Sequence, residues 1–409
     1  RWVAWLSYKD KADEVIVSGA GQLHRVSGRG DHHAPAIASD GQGRVHVVYS
    51  RKEGETYQLF ETVWSGRNWS KPEQLTTNGG SDLWPKLVSD GKVKLALVWQ
   101  GFRNNESAIL VKLWDGRHWG AEQRVSETGS SAWTPSAAFG AGKLWIAWDA
   151  YATGAYQIYV RELGSRVERV THGENFSVRA SIVTLPSGAP VVAWAESGPL
   201  WGKDFSWIIE RRGTVIYKDR RIRVAYREES DWKELPAPVA DAVPSGIRRY
   251  IQQPELATGD TGRLYMVFRV RTSTNTSRLD YFAAGGRWET FLTSLDGDRW
   301  TPAIPMPESV GRNSMRAAIA LHDGKVNVAW ATDARAWPGG RYGDLDVFST
   351  VLDATARPAN VRGGQIIVAP AVEVKTMHPN EREDVRRIRA YRYRLNGKTY
   401  RILRGDLHR

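Results

Sequence analysis

Short apolar strands, each ending in an aromatic residue, recur along most of the chain. In order, the segments are WVAW, VHVVY, LALVW, LWIAW, PVVAW, LYMVF and VNVAW, ending at Trp5, Tyr49, Trp99, Trp148, Trp194, Phe268 and Trp330. The interval is roughly 45–50 residues, with two longer intervals late in the chain, and periods of this size are typical of propeller blades and other repeat units. The pattern therefore predicts one repeated unit with an aromatic residue at a fixed place.

Each of these strands after the first follows a turn rich in Gly or Asp, such as Asp90-Gly91 or Asp323-Gly324. Another apolar strand precedes each turn, and such spacing predicts antiparallel strands joined by tight hairpins. No long segment with a period of 3.6 residues interrupts the series, which argues against a βαβ fold. Four strands in each of seven units predict an all-β, seven-bladed β-propeller with four-stranded antiparallel blades, whose aromatic residues fill the wedge between neighbours. An open solenoid and two stacked sandwiches are the alternatives.

The two ends of the chain depart from the repeat. The segment RWVAW matches the second strand of the later units. We therefore expect the first blade to lack its innermost strand and the natural chain to extend upstream. After the last repeat, residues 356–380 are interpreted as a connector around the apolar strand QIIVAP. Residues 381–409 predict a short helix capped by Asn380, followed by a hairpin across Asn396-Gly397. The propeller is thus assigned to residues 1–355.

Composition restricts the chemistry of the chain. Its 41% hydrophobic and 25% charged residues are ordinary for a soluble globular protein, whereas 19 Trp residues fit a repeat with a recurring aromatic position. The absence of Cys excludes disulfides, thiolate metal sites and a cysteine nucleophile. No apolar run reaches the roughly 20 residues that a membrane span needs. We expect a monomer.

The net charge of +12 raises a polyanion as a partner. Ten Lys and Arg residues stand against four Asp and Glu residues in the segment 381–409, and a second basic run covers residues 211–227 inside an enlarged repeat. We interpret both runs as solvated charge on a tail and an insert. Nucleic acid is therefore not the favoured partner.

Two of the later Asp-Gly turns resemble a known motif. The segments Asp115-Gly116-Arg117-His118-Trp119 and SLDGDRW, which ends at Trp300, are similar to the Asp-box of sialidase-type propellers. In that family the motif is a turn between the third and fourth strands, its Asp caps the turn, and its Trp packs in the blade. The resemblance implies a propeller fold, and it does not imply sialic acid chemistry.

The last residues, Gly-Asp-Leu-His-Arg, resemble the opening of PHP-type (polymerase and histidinol phosphatase) domains, and the arrangement is similar to bacterial proteins in which a propeller precedes a PHP-like domain. The resemblance implies that residues 381–409 start such a domain and that His408 matches the first metal ligand. In an intact parent it implies divalent metal ions, a metal-dependent hydrolase, and a secreted or periplasmic location, although no signal segment is visible. The second His and the later ligands are not in this sequence, so the activity is not assigned to these residues.

The loops entering the innermost strands and those joining the second and third strands share one face of a propeller, around the channel mouth, where ligand sites concentrate. Candidate ligand residues in these loops are Trp84, Trp133, Asp149, Tyr151, Arg179, Glu196, Arg271, Asp333 and Arg335. Carboxylates accept hydrogen bonds from sugar hydroxyls, Arg binds a carboxylate or phosphate, and aromatic faces stack on sugar rings. This set predicts a saccharide or other anionic small molecule as ligand, without a cofactor. Structural ion pairs between blades are the alternative interpretation.

Three functional hypotheses follow. The first is a non-catalytic propeller module that binds a substrate or organises the architecture, ahead of a PHP-like metal-dependent hydrolase domain. The second is a carbohydrate-active propeller enzyme of the glycoside hydrolase or uronic-acid lyase type, and its activity would depend on the loop residues. The third is a scaffold for protein or nucleic acid, which predicts steeply salt-dependent binding.

Overall fold

The computed structural model describes residues 1–152, 154–202, 213–215, 219–259, 261–272, 287–311, 316–333, 345–354, 358–371 and 380–401. The described residues form seven antiparallel sheets, which are the blades of a propeller ring, and one further two-stranded sheet near the C-terminus. Strands account for 59% and helix for 3%, so the predicted all-β class is confirmed.

Blades 1 to 4 are built from consecutive strands in chain order. Their strands are β1 (Val3–Lys9), β2 (Ala12–Gly19), β3 (Gln22–Arg25), β4 (His32–Ser39), β5 (Val45–Glu53), β6 (Thr56–Trp64), β7 (Glu73–Gln74), β8 (Asp82–Ser89), β9 (Leu95–Arg103), β10 (Glu106–Trp114), β11 (Gln123–Arg124), β12 (Ala132–Gly140), β13 (Lys143–Ala152), β14 (Ala155–Glu162) and β15 (Glu168–Arg169). Blade 1 holds β1 to β3, and blades 2, 3 and 4 hold four strands each. The outermost strands β7, β11 and β15 have only two residues each. Each of these blades therefore exposes only a short strand edge with which another chain could pair.

Blades 5 to 7 and the C-terminal extension complete the described chain. Their elements are β16 (Asn175–Thr184), β17 (Pro190–Pro199), β18 (Arg221–Glu228), β19 (Asp231–Glu234), a 3-10 turn (Val239–Ala242), β20 (Ile251–Thr258), β21 (Leu264–Arg271), β22 (Trp288–Asp296), β23 (Arg299–Trp300), β24 (Ile304–Pro305), β25 (Ala318–His322), β26 (Lys325–Thr332), β27 (Asp346–Asp353), β28 (Gln365–Ile366), α1 (Glu381–Ala390), β29 (Arg392–Leu395) and β30 (Lys398–Arg401). Blade 5 starts at β16, blade 6 at β20 and blade 7 at β25. The predicted short helix and hairpin are both present.

The recurring aromatic residues lie between blades, as the sequence predicts. Trp99 of blade 3 is fully buried and shares one apolar cluster with Val48 and Leu59 of blade 2. Trp148 of blade 4 likewise packs with Val98 of blade 3. Burying a large aromatic face at each junction supplies much of the apolar area that holds neighbouring blades together.

The Asp-Gly turns have a local explanation. In blade 3, the Asp90 carboxylate accepts hydrogen bonds from the backbone N–H groups of Lys92 at 2.8 Å and Lys94 at 3.0 Å. Gly91 has φ of +75°, in the left-handed region that favours glycine. The Asp carboxylate therefore closes the turn while the Gly supplies its backbone conformation.

The segment after blade 7 runs back along the ring. Asn360 N–H donates to Gly297 O of blade 6 at 2.6 Å, and Ile366 pairs with Lys233 of blade 5. The apolar QIIVAP segment therefore adds a fifth strand to blade 5, where β28 pairs with β19.

Candidate ligand site at the propeller mouth

The innermost strands of blades 2 to 6 share one irregularity. Each carries a β-bulge near its start, and the residue in the bulge has a positive φ. These residues are Ala34 (37°), Trp84 (55°), Thr134 (48°), Arg179 (60°) and Gln253 (57°). Glycine fits such a position without strain, yet none of the five is glycine, and all but Arg179 precede a proline, which restricts the backbone further. The chain thus keeps five side chains at strained positions around the mouth, and such strain clusters at functional sites.

Two of these positions converge on Asp149, which follows the recurring aromatic of blade 4. Thr134 Oγ1 donates a hydrogen bond to Asp149 Oδ1, and Arg179 N–H donates to the same oxygen at 2.9 Å. The residue is only 4% exposed. Burial raises the pKa of Asp149 above its ordinary value, against the opposing effect of both hydrogen bonds and of nearby Arg316. A buried carboxyl group with a raised pKa therefore joins blades 4 and 5.

Glu255 of blade 6 is a second carboxyl group at the mouth, and it contacts residues of blades 3, 5 and 7. Its carboxylate accepts from Arg316 Nη1 at 2.8 Å and from Ser181 Oγ at 3.4 Å, and Lys86 Nζ lies 3.7 Å away. Burial opposes ionisation of Glu255, but the charges of Lys86 and Arg316 outweigh it, so the pKa of Glu255 lies below its ordinary value. Glu255 is therefore an ionised carboxylate.

Three guanidinium groups lie close together here, because Arg179 and Arg316 act on the two carboxyl groups and Arg220 lies close enough to act on Arg179. Burial, together with the positive charges of Arg316 and Arg220, lowers the pKa of Arg179 to about 10. Arg220 is 3% exposed, and its guanidinium lies over the Trp201 ring at 4.3 Å. Within the part of the chain that the structure describes, the Arg220 side chain forms no hydrogen bond or ion pair, and its Nε is buried without a partner. Positive charge thus exceeds negative charge here.

We call Lys86, Asp149, Arg179, Arg220, Glu255 and Arg316 the mouth cluster. It draws residues from blades 3 to 7, so no single repeat contains the site. An anion entering the cluster would meet buried guanidinium groups that are shielded from water, where charge-assisted hydrogen bonds are strong.

The predicted aromatic residues lie on blades 3 and 4. Trp133 stands opposite Asp149 in the pairing of β12 with β13, and its ring centroid lies 5.5 Å from that of Tyr156. Tyr151 packs on the same Tyr156 ring at 5.1 Å. Trp84 is 39% exposed, and the His33 ring meets it edge-on at 4.5 Å. Of these aromatics, Trp84 is the large exposed one.

The remaining predicted residues are dispersed. Glu196 accepts from Arg221 at 2.6 Å and Arg223 at 3.0 Å, which makes a local ion-pair group within blade 5. Arg271 is buried at the end of β21, and Asp333 follows β26 half-buried. Arg335 and His408 lie outside the described residues. The structure therefore brings Asp149 and Arg179 into direct contact.

Several mouth cluster residues escape sequence-based reasoning. Glu255 follows Pro254 inside β20, and Thr134, which binds the cluster residue Asp149, precedes Pro135 inside β12; proline in a strand interior signals a bulge or an edge. That signal would have located the bulges. Arg220 and Lys86 carry no comparable signal, because their positions matter only through residues of other blades.

No group of three or more His, Asp or Glu side chains that would hold a metal ion occurs among the described residues. The same residues include no helix long and apolar enough to cross a bilayer. His32 contacts the Gly28 carbonyl through Nε2 at 3.0 Å, whereas the neighbouring His33 faces Trp84, so the two rings have different surroundings.

Comparisons with known proteins concern the fold. No protein-family model and no curated protein matches the sequence. A solved structure of the polysaccharide lyase Uly1 is similar with a TM-score of 0.53 and 10% identity, over 87% of this chain and 88% of that chain. The α-L-arabinofuranosidase Arb93A of Fusarium graminearum gives a TM-score of 0.40 and 12% identity, over 65% and 84%. The phage phi92 endosialidase gives 0.44 and 9%, over 87% and 65%. Of these three, the likeness to Uly1 has a TM-score above 0.5, and it concerns the fold alone.

Proposed function

We propose that the protein is a carbohydrate-active propeller that binds an acidic saccharide at the mouth cluster and cleaves it there. The observation that carries the proposal is Arg220, a buried guanidinium without an anionic partner in the described chain, beside Arg179 and Arg316. A buried charge without a partner is costly, and a bound carboxylate or sulfate would supply one.

The choice of a saccharide rests on the surroundings of these cations. Carboxyl and amide side chains at the mouth offer acceptors and donors to sugar hydroxyls, and Trp84 offers an exposed ring face. The fold likeness to a polysaccharide lyase supports the same substrate class only by analogy. A sugar acid, such as a uronic acid, combines the anionic group and the hydroxyls that the mouth cluster fits.

Cleavage, rather than binding alone, is favoured by Asp149. Burial raises the pKa of this carboxyl group, while the pKa of Glu255 is lowered. Carboxyl groups whose environments push their pKa values apart are typical of acid–base catalysis. In this proposal protonated Asp149 donates its proton to the departing glycosidic oxygen, a water molecule adds to the anomeric carbon, and the ionised Glu255 carboxylate accepts the proton that this water releases. The guanidinium groups hold the acid group of the substrate.

The test is a comparison of acidic and neutral polysaccharides. The full chain is incubated with polygalacturonate, alginate or hyaluronan, and with xylan as the neutral substrate. Hydrolysis is read from new reducing ends, and elimination from the ultraviolet absorbance of unsaturated uronate ends. Cleavage of at least one acidic polymer, without cleavage of xylan, is expected. Binding without cleavage would refute catalysis and favour the hypothesis of a non-catalytic binding module. No binding of any acidic polymer would refute the whole proposal.

A matched pair of variants separates the mouth from the rest of the surface. Arg220→Met is expected to weaken binding of the acidic polymer about tenfold or more, because a charge-assisted contact is worth roughly 1.5–3 kcal/mol. Arg227→Met is the control, since Arg227 also lies over an indole ring, Trp145, but pairs with Glu168. Equal losses in both variants would contradict a specific role for Arg220.

The PHP-like continuation of residues 381–409, the Asp-box resemblance, the divalent metal ions and the secreted or periplasmic location stay predictions. The described hairpin ends at Arg401, so His408 adds nothing to the proposal.

A further inference from the structure

Blade 3 presents an aromatic surface beside the mouth cluster. Trp84 and Phe102 are 39% and 40% exposed, although most large aromatics of the ring are buried. Phe102 N–H donates to Ser81 O at 2.9 Å, which holds the start of β8 against the end of β9. Both aromatics therefore occupy the edge of blade 3 at the mouth.

The backbone at Trp84 is strained in two ways. Its φ of +55° lies in the left-handed region, and the following Pro85 disfavours that region further. The His33 ring contacts Trp84 edge-on at 4.5 Å and so restricts the orientation of the indole. Glycine would avoid this strain, so the backbone alone favours glycine here. The sequence nevertheless has Trp84, and 39% of this residue is exposed.

Trp84 is also connected to the cations. Lys86, two residues further along β8, reaches Glu255, which binds Arg316 of the mouth cluster. Trp84 and Lys86 both belong to β8, so the exposed indole lies on the strand that carries one of the mouth cluster cations.

We propose that Trp84 is a stacking platform for the sugar next to the one whose acid group the mouth cluster holds. The ligand is accordingly an oligosaccharide rather than a single sugar acid. This inference rests on the proposed function for the acidic sugar, but the stacking contact itself does not depend on charge, because indole faces attract the C–H face of neutral sugars as well.

The experiment measures binding by titration calorimetry for Trp84→Gly, Trp84→Phe and the unchanged protein. The probes are galacturonate, its hexamer, and neutral xylohexaose. Trp84→Gly is expected to weaken hexamer binding about tenfold and leave galacturonate binding within about twofold, while Trp84→Phe restores hexamer binding to within about threefold. The folding stability of Trp84→Gly should equal or exceed that of the unchanged protein, because glycine relieves the strained φ.

Ala141→Gly is the matched control, since Ala141 has φ of +50° in a turn of blade 4 between β12 and β13, on the opposite face of the ring. It should gain stability without any change in binding. Equal weakening of galacturonate and hexamer by Trp84→Gly, or no weakening of either, would overturn the platform. If xylohexaose and the acidic hexamer bind equally well and both depend on Trp84, the platform stands and the acidic-saccharide proposal fails.

Discussion

Arg220 offers the sharpest test of whether the mouth is built for a ligand or for stability. A structural arginine stabilises the fold, whereas a ligand-binding arginine without a partner destabilises it until the ligand arrives. Leaving a buried donor unsatisfied costs about 1–3 kcal/mol, and more for a charged group. The cation–π contact of Arg220 with the Trp201 ring, at 4.3 Å, stabilises the folded protein by about 0.5–2 kcal/mol.

The substitution Arg220→Met removes the charge and keeps an unbranched apolar stem against Trp201. From the two opposing contributions we expect the free energy of unfolding to rise by about 1–2 kcal/mol. Urea denaturation at neutral pH, followed by tryptophan fluorescence, measures this difference. Arg227→Met, which leaves Glu168 without its guanidinium partner, should lower the free energy of unfolding by about 1 kcal/mol.

Ligand should narrow the difference in stability between the two proteins. An acidic oligosaccharide at a hundredfold excess over its Kd stabilises the unchanged protein by about 2.7 kcal/mol and the variant by less. A loss of more than about 1 kcal/mol in ligand-free Arg220→Met would refute the reasoning, since it would show that Arg220 is already satisfied.

Three further changes test the carboxyl groups and the packing of blades. Asp149→Asn keeps an oxygen that accepts both hydrogen bonds. Because the pKa of Asp149 is raised in the folded protein, the unchanged protein should lose stability relative to the variant as pH rises through that pKa. Urea midpoints of both proteins, measured from about pH 4 to 7, test this. Glu255→Gln leaves Arg316 buried without its carboxylate and should cost about 3 kcal/mol at pH 7. Because the folded pKa of Glu255 is lowered, this contribution exists above its ordinary pKa and disappears as pH falls through the lowered value, so equal costs at pH 7 and pH 3 would contradict it. Gly41→Ala places a Cβ 1.8 Å from Lys92 O of blade 3 and should cost about 1–3 kcal/mol; an unchanged melting temperature would show that the turn yields freely.

The fold could be predicted because its determinants are local and repeated. Trp99 ends an apolar strand and follows the Asp90-Gly91 turn, and both features are visible within ten residues. Seven copies of the same local pattern leave few architectures that bury an aromatic at each junction. The structure departs from the predicted four-stranded blade at blade 5. There Gln365–Ile366, from a segment distant in sequence, adds an outer strand that no local pattern indicates.

The site was predicted only in part because its determinants lie on different blades. The sequence predicted Asp149 and Arg179 in loops, but the structure places them in β13 and β16, near the strand ends on the face where propeller topology places ligand groups, and they do meet. Glu255 acquires its character from Arg316, 61 residues further along the chain, and from Lys86 on blade 3. Such partners become neighbours only when the ring forms. Glu196 shows the converse, since it was predicted in a loop but lies inside β17, and its arginine partners belong to its own blade.

The return of the chain from blade 7 to blade 5 has a mechanical consequence. Gly364 N–H donates to the Tyr226 hydroxyl at 3.0 Å, and Ile367 N–H donates to Trp232 O at 2.8 Å. Tension applied through α1 and the C-terminal hairpin would therefore load the outer edge of blade 5 in shear before it reached blade 7. The meeting of blades 7 and 1 is shielded from such tension.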